Sequence, residues 1–81
     1  MEKRIGTLSI IVSHSENIAE LNGILSEFAP CILSRQGLPL HDRGISIITL
    51  VIEADMNTIS ALSGKIGRLK GVSIKSMVAK Q

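Results

Sequence analysis

The chain has 81 residues, 44% of them apolar and 20% charged, with Phe28 as its one aromatic side chain. These totals describe a single small domain over residues 1–81 with an aliphatic core, and they exclude a disordered chain. Nine Lys and Arg against seven Asp and Glu leave a net charge of +2, too near neutrality to mark a nucleic-acid or membrane surface.

The first element in chain order is a strand from Arg4 to Val12, where Leu8, Ile10 and Val12 alternate with Thr7, Ser9 and Ile11. Gly6 marks a close approach or a bulge in it. Ser13-His14-Ser15-Glu16 has the spacing of a capping box, in which a serine hydroxyl and a carboxylate satisfy free backbone donors, so a helix starts there. Its apolar positions Ile18, Leu21, Leu25 and Phe28 recur at helical spacing, and Pro30 ends it. Cys31 to Gly37 is a shorter, more polar strand, placed at an edge. The stretch from Gly37 to Gly44 is expected to be a loop too long for a tight hairpin, joining two antiparallel strands.

Arg43 to Glu53 is almost wholly β-branched or aliphatic and is the central strand. Ile48, Leu50 and Ile52 point to one side of it; Ile45, Ile47, Thr49 and Val51 point to the other. Both sides want cover. Asp55 or Asn57 then caps a second helix carrying Ile59, Leu62, Ile66 and Leu69, which Gly71 stops. Gly64 and Gly67 inside that helix each cost about 1 kcal/mol relative to alanine, which predicts a close neighbour on their face. Val72 to Ala79 is the last strand, with Val72, Ile74 and Val78 on one side and Ser73, Lys75 and Met77 on the other.

The order strand, helix, strand, strand, helix, strand, joined by right-handed crossovers, predicts an α+β, ferredoxin-like βαββαβ sandwich. Its four-stranded antiparallel sheet carries both helices on one face, and the first and third strands lie in the middle. The other face then presents Ile11, Ile45, Ile47, Thr49 and Val51, a patch that a monomer does not leave bare. Pairing of identical chains about a two-fold axis covers it most simply, so the expected assembly is a homodimer or a tetramer of dimers.

Arg35-Gln36-Gly37-Leu38-Pro39, Arg43-Gly44-Ile45-Ser46-Ile47-Ile48 and Ile59-Ser60-Ala61-Leu62-Ser63-Gly64-Lys65-Ile66-Gly67-Arg68-Leu69 carry a family resemblance. The chain resembles the iron-only hydrogenase system regulator family over nearly its whole length, from Arg4-Ile5-Gly6 to Ser76. Lys70 stands where many relatives have proline. The resemblance implies an ACT-like fold, similar to ACT domains and to the C-terminal, metal-sensing domain of the nickel-responsive repressor. It also implies a small oligomeric regulatory domain that senses a metal or a metabolite. That repressor's DNA-binding ribbon-helix-helix segment has no counterpart in these residues, so a role in transcription needs a partner.

Three constellations stand beside plainer explanations. Arg35, His41 and Arg43, with Gly44, gather around the expected loop, where guanidinium groups can clamp a carboxylate or phosphate; a solvated loop with an Arg43–Asp42 pair explains the same residues. Ser13 and His14 lie at the first strand-to-helix turn, whose free donors suit an anion, although capping alone explains the serines. His14, His41 and Cys31 are the soft or borderline metal ligands, and a transition-metal site needs three or four to converge. They share no close spacing, so a site built from them requires a subunit interface.

The sequence names no cofactor and shows no catalytic constellation. Bases do not stack on a chain without Tyr or Trp, paired cysteines of a metallochaperone are absent from the first turn, and Gly64-Lys65 lies in a helix rather than a phosphate loop. The single cysteine rules out an intrachain disulfide, no apolar run reaches the roughly 20 residues of a membrane span, and Met1 to Ile11 has no signal-peptide pattern; the expectation is a cytoplasmic protein. The expected function is a non-enzymatic regulatory domain with a small effector near a subunit interface. The alternatives are a protein-docking scaffold without a small ligand and a metal sensor built across an interface.

Overall fold

A computed structural model describes residues 2–13 and 18–80. Strand β1 (Arg4–Ser13) is followed by helix α1 (Ile18–Glu27), strand β2 (Ile32–Leu40), strand β3 (Ile45–Ala54), helix α2 (Met56–Gly67) and strand β4 (Val72–Val78). The sheet is antiparallel throughout, in the order β2-β3-β1-β4. This is the ferredoxin-like arrangement, with the two most apolar strands in the middle. The capping box expected at Ser13 to Glu16 extends outside the described residues.

The central pair sets the rest. β1 and β3 run in unbroken register from Arg4 opposite Ala54 to Ser13 opposite Ile45, so period-2 alternation sorts their side chains identically. Leu8, Ile10 and Val12 of β1 and Ile48, Leu50, Ile52 and Ala54 of β3 turn to the helices and are buried. Leu21 and Leu25 of α1 and Ile59, Leu62 and Ile66 of α2 complete this core. It holds no buried polar or charged residue among those described, so aliphatic burial is its cohesion. Gly6 sits at a close approach: a Cβ there would stand 3.2 Å from the Met77 carbonyl oxygen of β4.

Three boundaries differ from the expectation. β2 does not stop at Gly37 but continues through Leu38-Pro39-Leu40 to pair with Ile47, Ser46 and Ile45, because an edge strand tolerates a residue without an N–H. The connection is correspondingly short, a 3-10 turn at His41–Arg43 closed by Gly44, whose φ of 68° is the left-handed region and whose N–H donates to the His41 carbonyl at 3.2 Å. α2 ends at Gly67 rather than reaching Leu69; a turn follows in which Gly71 takes φ 79° and Val72 N–H donates to the Leu69 carbonyl. Leu69 still packs against the core from that turn.

β2 also contains a bulge. Ile32 pairs with Ile52 and Ser34 with Val51, so Leu33 has no opposite number. The extra residue reverses the alternation: Ile32 faces the core, whereas Ser34, Gln36, Leu38 and Leu40 fall beside Val51, Thr49, Ile47 and Ile45 on the open face.

Asp55, one of the two cap candidates, is the N-cap of α2: its carboxylate accepts from Thr58 N–H at 3.2 Å. Hydrogen bonding from the Thr58 side chain, the largest cause, together with this backbone bond and against a smaller desolvation, holds its pKa below the ordinary 3.8. A carboxyl group depressed in the folded state stabilises above its unfolded value and loses that contribution as pH falls through the folded one. Thermal unfolding of Asp55→Asn is therefore expected to match the wild type at neutral pH, since asparagine caps equally well, but to fall less steeply below pH 3.8. Leu50→Ala, at a fully buried position, is expected to cost about 2–5 kcal/mol, read by urea unfolding followed by circular dichroism.

Candidate functional site: the open sheet face and the hairpin end

Strand register assigns the rows of side chains on the face opposite the helices: four described next, and an end row of Ile5 and the exposed Glu53. At the hairpin end Ser13, Ile45 and Leu40 align, and next to them Ser73, Ile11, Ile47 and Leu38. The following row is Lys75, Ser9, Thr49 and Gln36, and then Met77, Thr7, Val51 and Ser34. The face is thus apolar toward the hairpin, crossed by one polar row, and apolar again around Met77 and Val51. Ile11, Leu38 and Met77 are 44%, 54% and 72% exposed, far more than a hydrophobic cluster of the core shows. Lys75 is the one charged residue in the four rows.

The five residues expected on this face, Ile11, Ile45, Ile47, Thr49 and Val51, all lie on it. Leu38, Leu40 and Met77 extend the patch. The two leucines escaped the sequence reading because Pro39 between them looks like a breaker, yet Leu38-Pro39-Leu40 has strand alternation and proline is at home on an edge. Met77 carried the right alternation but sat beside Lys75.

The anion candidates separate into two places. Ser13 pairs with Ile45 and its N–H donates to the Gly71 carbonyl at 2.9 Å, so the end of β1, the His41–Gly44 turn and the α2–β4 turn share one end of the sheet. His41, Asp42 and Arg43, with Pro39 and Leu40, line an open concavity of about 370 Å³ there. Gly44 is explained by its positive φ. Arg35 is elsewhere: it pairs with Leu50 in mid-sheet, on the helix side, and its Nη2 donates to Asn22 Oδ1 of α1 at 3.0 Å. With five residues of extended strand at about 3.3 Å each between Arg35 and Leu40, the turn's Arg43 does not share an anion with Arg35 in one chain. His14 lies outside the described residues.

The metal candidates do not converge either. Cys31 precedes the end of the sheet where Ile32 meets Ile52, and His41 follows the opposite end where Leu40 meets Ile45. Among the described residues no group of three His, Cys, Asp or Glu is placed to hold a metal ion. Of the small residues on α2, Gly67 does have a close neighbour, since a Cβ there would lie 3.5 Å from Ile74 Cγ2; at Gly64 the nearest atom is the Arg68 guanidinium, 3.9 Å away. Nearby, Lys65 spans the helices, donating to Glu27 at 2.9 Å with its ammonium 5.5 Å from the Phe28 ring centroid.

Residues 4–76 match the family model described as "TM1266-like: Iron-only hydrogenase system regulator, putative". The chain belongs to that family. Among solved structures it is similar to the uncharacterized protein TM1266 from Thermotoga maritima, with 39% identity, a TM-score of 0.95, and coverage of 98% of this chain and 100% of that one. It is similar in fold to an unknown protein from Galdieria sulphuraria, at 16% identity and a TM-score of 0.66, covering 99% of this chain and 47% of that one. It is likewise similar to the de novo designed protein Foldit4, at 18% identity, a TM-score of 0.61 and 99% coverage of each. No match is found among curated proteins. Among the described residues no helix is long and apolar enough to cross a membrane. The TM1266-like match agrees with the resemblance carried by the Arg35, Arg43 and Ile59 segments.

With only the flexible Arg68 guanidinium in ordinary contact range at Gly64, Gly64→Ala is expected to stabilise the folded chain by roughly 0.5–1 kcal/mol, measured as a raised urea midpoint; an unchanged or lowered midpoint indicates a neighbour supplied by another chain.

Proposed function

We propose that this TM1266-like chain is a non-enzymatic, homo-oligomeric regulatory module of an iron-only hydrogenase system, assembling through its open sheet face and responding to a small effector near the subunit interface. The observation that carries the reading is that face: apolar rows around Ile11, Ile45, Ile47, Leu38 and Met77, with charges only at Lys75 and, in the end row, Glu53, on a domain whose core is complete without them. Four strands about 4.8 Å apart and some eight residues long at about 3.3 Å each give a footprint near 500 Å². With side-chain corrugation this approaches the ~800 Å² per partner of a stable interface.

The regulatory part rests on the family's description. An effector bound only by the assembled form shifts assembly by linkage, which is all that a sensor without catalysis requires. Action on transcription or on hydrogenase assembly then passes through a further protein, and a cytoplasmic setting suits both. A protein-docking scaffold uses the same face with a different occupant, and a metal sensor needs His14 or His41 brought together by two chains.

Native mass spectrometry of gently purified protein, without chelator, reads assembly mass and retained adducts together. A dimer or tetramer with an organic adduct is the expected result. A bare oligomer favours the scaffold, a metal adduct the metal sensor, and a monomer overturns assembly through the face. Ile47→Glu is expected to yield a folded monomer in the same measurement, since a carboxylate in a closed apolar contact has no partner.

A further inference from the structure

We propose that the groove between α1 and β2 is the effector site and that it takes a small aliphatic carboxylate without an amino group; this rests on the effector-responsive reading above, with the edge strand β2 linking the groove to the open-face interface, since Leu38 lines the one and stands beside Ile47 on the other. The inward-facing positions of β2 along α1 are Arg35, Gly37 and Pro39, opposite Leu50, Ile48 and Ser46. The middle one, Gly37, has no side chain, so strand and helix do not close on each other there. They leave a groove of about 280 Å³ floored by the buried Leu21 and Ile48 and walled by Ile18 and Pro39.

Gly37 is the telling residue. Its φ is not positive, and a Cβ added there would meet nothing within 4 Å. Neither a turn nor a close approach demands glycine, in a strand where glycine weakens pairing. What the missing side chain does is keep the groove open.

Arg35 supplies the polar end. It is pinned to Asn22 Oδ1 at 3.0 Å, and among the described residues no carboxylate pairs with it. Its remaining guanidinium donors and the Asn22 amide N–H groups suit a carboxylate at the rim. Among the described residues no Asp or Glu lines the groove, so they offer the ammonium of an amino acid no counter-charge, whereas an alkyl chain finds Leu21 and Ile48.

The test is a titration of the full chain with hexanoate, followed by amide chemical shifts, with hexanol and leucine as comparisons. Saturable shifts centred on Leu21, Gly37 and Ile48 are expected for hexanoate, with hexanol and leucine at least tenfold weaker. Gly37→Val is expected to keep the thermal midpoint at or above that of the wild type while losing the saturable shifts. Arg35→Met is expected to weaken hexanoate at least tenfold and carries the test should the valine variant not fold. Absent or scattered shifts, or binding that survives both substitutions, overturns the groove assignment. Should an organic adduct be retained in native mass spectrometry while hexanoate leaves the groove unperturbed, the groove fails and the effector reading stands; no adduct and no shifts removes both.

Discussion

The antiparallel pairing of β1 with β3 is the constraint on which the molecule depends. Ten residues of each strand lie in continuous register, and because side chains alternate with a period of two, a slip by one residue would exchange Leu8, Ile10, Val12, Leu50 and Ile52 with their outward neighbours. The helices can only dock where those side chains point. Everything that follows, including which face stays open, comes from that register.

The same pairing explains why the candidate sites lie at surfaces rather than in an internal pocket. A domain of this size fills its core with aliphatic side chains and leaves no buried polar group among the described residues. The open sheet face, the hairpin end and the α1–β2 groove are all consequences of a sheet covered on one side by two short helices. In the proposed assembly, covering the open face would add to the stability that a small core supplies.

The edge strand shows how small sequence features redirect a surface. One unpaired residue, Leu33, reverses the alternation of β2. Leu38 and Leu40 thereby join Ile47 and Ile45 on the open face, and Arg35 is turned toward α1, where Asn22 receives it. Arg35 and Arg43, which look like one clamp in the sequence, end on different parts of the chain. The difference lies in a bulge that composition does not announce.

Much of the architecture was legible because it rests on local periodicity. Alternation in Arg4–Val12 and Arg43–Glu53, helical spacing in Leu21–Leu25 and Ile59–Ile66, and the cap at Asp55 each follow from backbone geometry that neighbouring residues alone satisfy. The βαββαβ order then limits the topology, and the family resemblance agrees with the matched model. The length of β2, the short turn at His41–Gly44 and the end of α2 were decided by tertiary structure, because proline on an edge strand and glycine in a left-handed turn depend on which strand is the neighbour. Grouping of site residues was decided there too, since convergence is set by register across the sheet: Pro39 opposite Ser46 and Arg35 opposite Leu50 are relations between distant segments that no single stretch of sequence contains.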